Sequence, residues 1–141
     1  MESWLIDTAL FESLAPGGPQ TDSVRQWLET HEDPLFLSAA SIRKIEAAIA
    51  RIHASQGERV DALTKWLDAL VTNFSDRIHP LDGEVYTRAS EIMRHWQRVP
   101  VRVRYHDVLL AATAQVYGHG LLTDRAVFDF GSWVSVKVAS P

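Results

Sequence analysis

Short apolar runs alternate along this chain with longer stretches whose hydrophobic residues recur every three or four positions. "WLI" at 4–6 and "LFLSA" at 35–39 are bounded by turn signals, which predicts two buried strands. Between them, "TDSVRQWLETHED" opens on Thr21 or Asp22, either able to cap a helix, and sets Val24, Trp27 and Leu28 on one face. "SIRKIEAAIARIHA" repeats that pattern with Ile42, Ile45, Ile49 and Ile52. "ERVDALTKWLDALVTNF" does so with Val60, Leu63, Trp66, Leu67 and Leu70. "RIHPL" predicts a short third strand and "DGEVYTRASEIMRHWQR" a helix capped by Asp82. "YHDVLLAATAQVYG" is apolar nearly all round, which predicts a central helix packed on a sheet and ended by Gly118 and Gly120. "GLLT" and "WVSVKV" supply the last two strands.

This order predicts an α/β domain: a mostly parallel central sheet of about five strands, covered by helices, in a single domain over residues 1–141. Sites in such sheets form outside the carboxyl ends of the strands. Asp7 sits at one such end and Thr123-Asp124 at another. Asp7 closes an apolar run, so its carboxylate needs a compensating turn, cation or metal.

Composition narrows the function classes. The chain has 141 residues, enough to bury a core, with 46% hydrophobic and 23% charged residues. Cysteine is absent, so disulfides and thiolate metal sites are excluded, in keeping with a cytoplasmic setting. No stretch approaches the roughly 18 consecutive apolar residues of a membrane span, and the start lacks the pattern of a signal peptide. The net charge of −4 gives no global attraction for nucleic acid, so RNA binding would need a local patch. "RHWQRVPVRVRYH" at 94–106 supplies one, with Arg98, Arg102 and Arg104 running up to Asp107. The histidines at 31, 53, 79, 95 and 119 show no ligand spacing.

The opening "LIDTALF", the strand-Ser-helix "FLSAASIRKIEAAI", the block "YHDVLLAATAQVYGHGLLT" and the tail "FDFGSWVSVKVASP" stand in the order found in PIN domains of the VapC type, the ribonuclease toxins of toxin–antitoxin pairs. The chain resembles that family over essentially its whole length. The resemblance implies converging carboxylates that hold Mg²⁺ or Mn²⁺ for RNA hydrolysis, a homodimer, and a cognate antitoxin as partner. On the family pattern Asp7 and Asp107 are metal ligands, and Asp7, Asp107 and Asp124 the catalytic acids.

Two acidic positions of the pattern are substituted here. Lys44 stands where the second acid belongs, and Arg125 where the fourth does, with Asp124 one residue early. Glu46 lies about 200° around the helix from Lys44 and should point away. Asp129 is a turn residue or a further ligand. Two readings follow. In one, the remaining acids sustain a metal-dependent endoribonuclease. In the other, the site is degenerate, takes no metal, and the chain binds RNA or a protein without cutting. The second expects Lys44 to bridge the two aspartates.

Overall fold

A computed structural model describes residues 2–18, 22–96, 104–125 and 138–139 of the chain. Five strands form one sheet: β1 (Trp4–Ile6), β2 (Leu35–Ser38), β3 (Ile78–His79), β4 (Gly120–Leu122) and β5 (Val138–Ala139). Their order is β3-β2-β1-β4-β5, and every pairing is parallel. Four of the strands lie in the first 125 residues, and β5 is a two-residue pair at the edge. The helices are α1 (Thr8–Ser13), α2 (Asp22–Thr30), α3 (Ala39–Ala50), α4 (Gly57–Asn73), α5 (Gly83–Trp96) and α6 (Tyr105–Tyr117), with a 3₁₀ turn at Ala54–Gln56.

Strand alternation divides the core between the two faces of the sheet. Trp4, Ile6, Leu37 and Leu122 join Leu10 and Phe11 of α1, Trp27 of α2, Ile45 of α3 and Leu67 of α4 on one side. Leu5 and Leu121 face the other way, onto Leu110 and Ala114 of α6, with Phe36 beside them. The opposite flank of α6 carries Val108, Ala111 and Ala112, which pack on Val85, Ala89 and Ile92 of α5. An α6 that is apolar nearly all round is thus explained: it is covered by the sheet on one flank and by α5 on the other. Along α4 only Leu67 is fully buried; Val60, Leu63, Trp66 and Leu70 remain half-exposed.

Local signals set the helix boundaries. Ser38 caps α3 by accepting the Ala40 amide at 3.0 Å, and Asp82 caps α5 by accepting that of Val85 at 3.0 Å. Gly118 ends α6 with φ of 75°, the left-handed conformation in which glycine carries no Cβ penalty. That stop turns the chain directly into β4, whose first amide, Gly120, bonds to the Ser3 carbonyl at 3.0 Å. The β1 and β4 exits are therefore adjacent, and α6 starts beside them.

Candidate functional site

Asp7 leaves β1 with its amide bonded to the Leu122 carbonyl at 2.9 Å, which holds it against the end of β4. It precedes α1 at the capping position, yet its side chain makes no capping bond. The carboxylate is buried and turns toward β4. There the Thr123 hydroxyl donates to Oδ2 at 2.7 Å. Asp107, in the first turn of α6, reaches the same place from the neighbouring element and is also buried.

Arg125 joins the two. Its Nε donates to Asp7 Oδ2 at 2.7 Å and its Nη2 to Asp7 Oδ1 at 3.0 Å. Its Nη1 donates to Asp107 Oδ2 at 3.0 Å and Nη2 also to Asp107 Oδ1 at 2.7 Å. All four carboxylate oxygens therefore accept from one guanidinium, a doubled version of the bidentate fork that suits arginine to carboxylates. The Arg125 amide meanwhile donates to the Thr123 hydroxyl at 3.1 Å, so that one hydroxyl fixes both the acid and the arginine. Burial alone would lower the Arg125 guanidinium, but its bonds to Asp107 and Asp7 and their charges carry it above its ordinary value. The cation is permanent.

A second layer of polar groups lies beside this knot. Thr8 Oγ1 is 2.7 Å from Ser41 Oγ and 2.8 Å from His106 Nε2, with both hydroxyl residues fully buried. Burial, then the charge of Lys44, holds His106 below its ordinary value; Asp107 and Asp7 pull it up, and Arg125 opposes them. The imidazole is thus a neutral partner for Thr8.

The expected site residues distribute as follows. Asp7 and Asp107 converge. Arg125 turns inward onto both, whereas Asp124 is exposed and stands apart from the pocket. Lys44 is exposed and makes no ion pair with either aspartate among the described residues. It borders the pocket near enough to act on His106. The bridging cation is Arg125, not Lys44: the side chain from the strand-end turn enters, and the one from the exposed helix face does not. Glu46 is exposed, as its helical position requires. Arg104 is exposed at the start of α6, while Arg98, Arg102 and Asp129 lie outside the described residues. Thr123, placed by the sequence at a strand end, contributes its hydroxyl, whereas the Thr8–Ser41–His106 chain had no strong sequence signal because its members are far apart in sequence.

A divalent ion of the Mg²⁺ type needs several oxygen ligands in near-octahedral array. The residues present do not fit one in this arrangement, because every oxygen of Asp7 and Asp107 is engaged by Arg125. Among the described residues no group of three or more His, Asp or Glu is placed to hold a metal.

The chain belongs to the PIN-domain family, whose model matches residues 5–128. Solved structures similar to it include FitAcB from Neisseria gonorrhoeae, 25% identical, with 95% of this chain and 94% of that chain covered and a TM-score of 0.78. FitAB bound to an IR36 DNA fragment is 24% identical over 97% of this chain and 94% of that chain, with a TM-score of 0.80. VapBC-5 from Mycobacterium tuberculosis, a member of the VapBC family of toxin–antitoxin systems, is 15% identical over the full length of both chains, with a TM-score of 0.72. Comparison with curated proteins gives no match.

Proposed function

We propose that this chain is the PIN-domain member of a toxin–antitoxin-type pair whose acidic pocket is kept by its own Arg125 instead of by a divalent ion. It then acts by binding its antitoxin and RNA, not by metal-dependent cleavage. The observation that carries this reading is the engagement of all four oxygens of Asp7 and Asp107 by one guanidinium. Two buried carboxylates at such range repel each other and need a cation; Arg125 supplies one and leaves a single net negative charge on the three groups. Mg²⁺ parts reluctantly with its water, and a pocket of one negative charge offers little to offset that. The likeness to FitAB and VapBC complexes over nearly the whole chain supports a cognate antitoxin as partner. The basic segment containing Arg98, Arg102 and Arg104 is the stretch of sequence we assign to RNA phosphates. A homodimer in the cytoplasm completes the proposal.

The Mg²⁺- or Mn²⁺-dependent endoribonuclease is the second reading, in which Asp7, Asp107 and Asp124 do the chemistry. It is favoured by one observation: the Arg125 side chain is 23% exposed and sits on a turn, where it could swing clear. Incubating the purified protein with a mixed single-stranded RNA separates the two. Retention of RNA without cleavage in Mn²⁺, weakened by Arg104→Ala and strongly salt-dependent, is the expected result. Cleavage in Mn²⁺ that Asp7→Asn abolishes would establish the second reading.

A further inference from the structure

The face of the sheet that packs on α6, around Phe36, carries a cluster that the proposed function does not use. His79, the last residue of β3, and His119, between α6 and β4, place their Nε2 atoms 2.7 Å apart. The other nitrogen of His119 lies 2.6 Å from Ser3 Oγ, just before β1. Phe36 of β2 stacks on His119 at 4.1 Å and on His79 at 5.1 Å between ring centroids, and Tyr117 of α6 stacks on His79 at 3.9 Å. The Tyr117 hydroxyl in turn donates to Asp82, the cap of α5. The histidine pair thus ties the edge strand to the junction of α6 and β4, and ring stacking extends the tie to β2 and α6.

We propose that the His79–His119 bond is an acid-labile latch that holds the edge strand β3 on the sheet. An Nε2–H···Nε2 bond needs one donor and one acceptor. The neutral pair provides them, and so does the pair carrying one extra proton. The doubly protonated pair presents two donors and two positive charges at 2.7 Å, and the bond is lost. The surroundings decide where each proton goes. Asp82 is the charge that favours protonated His79, against its burial, and Glu84 and the Tyr117 hydroxyl lie one step further out. Arg77, next to β3, is engaged with Asp76 and with the carbonyls of Asn73 and Leu35. Ser3 and Phe36, facing the pair from β1 and β2, are uncharged. His119 is pushed down to about 4, first by burial and then by His79, so it takes the second, disruptive proton. An opened β3 leaves His119 free to take that proton near its ordinary value, so opening gains on closure as pH falls from 6.5 toward 4.

Native-state amide exchange by NMR tests the latch. The Leu37 amide donates to the Arg77 carbonyl at 2.9 Å and reports β3 pairing, whereas the Asp7 amide reports the β1–β4 junction. The expected result is a Leu37 protection factor that lies below that of Asp7 throughout and falls by up to about tenfold per pH unit below pH 6.5. In His79→Phe, which keeps a ring in the stack, and in His119→Gln that slope should become shallower, because burial still acts on the remaining histidine but the disruptive pair of charges is gone. A Leu37 protection factor independent of pH would overturn the latch, as would an unchanged slope in either variant. Equal protection factors at Leu37 and Asp7 across the range would show global unfolding in its place.

Discussion

Arg125 is the residue on which the site turns, and its position follows from a bend. The chain bends at Asp124 and Arg125 on leaving β4, and the Arg125 amide donates to the Thr123 hydroxyl there. Thr123 points in and bonds to Asp7, Asp124 points out, and Arg125 points in again. The two aspartates were legible in the sequence because each sits in a distinctive apolar context, one at a strand end and one at the head of the most apolar helix. The bridging cation was expected to be Lys44 and is Arg125, since helix rotation and turn direction are settled by packing. Removing the guanidinium leaves two buried carboxylates uncompensated. Arg125→Ala should therefore lose about 3–5 kcal/mol in denaturant unfolding. Arg125→Lys should recover only part of that, because an ammonium cannot fork to both acids at once. Equal stability of Arg125→Ala and wild type would remove the structural role assigned to this ion pair.

The elements themselves were read from periodicity with few errors, for reasons that the packing makes plain. The five helices from α2 to α6 carry apolar residues at three- and four-residue spacing or, in α6, on both covered flanks, whereas the short α1 has no such spacing and was not expected. What periodicity overstated was the depth of burial along α4. Its apolar stripe faces α3 and the rim of the core, and only Leu67 reaches inside. The final strand was expected over 133–138; the described part is Val138–Ala139, and 133–137 lie outside the described residues. Two caps give element-scale predictions. Gly118→Ala forces a Cβ into a φ of 75° and should cost about 1–2 kcal/mol by thermal unfolding. Asp82→Ala removes the cap of α5 and the acceptor of the Tyr117 hydroxyl, and should cost about 1 kcal/mol or somewhat more.

For the whole molecule, the alternation of strands and helices was enough to give a parallel α/β sheet, but not the order β3-β2-β1-β4-β5. That order depends on which strands each crossover helix brings together, a tertiary choice that periodicity does not encode. It matters because it puts β1 and β4 side by side and so assembles Asp7, Thr123 and Arg125 from opposite ends of the chain. Among the described residues no helix is long and apolar enough to cross a membrane. Stability as a whole should depend on pH through His79 and His119, both lowered in the folded state. The unfolded chain then binds more protons below 6.5, so unfolding free energy should rise with pH from about 4 to 6.5 and level off above. Denaturant midpoints measured across that range check the sign; a midpoint that rises as pH falls would contradict it.

The central claim, that Arg125 holds the place of a metal, is tested most directly by calorimetric titration of the protein with Mn²⁺, beside Arg125→Ala and the double variant Arg125→Ala/Asp7→Asn. The account predicts no saturable binding by the wild type, binding gained in Arg125→Ala, and its loss in the double variant. Saturable binding of Mn²⁺ by the wild type, abolished by Asp7→Asn alone, would contradict it and return the pocket to metal chemistry.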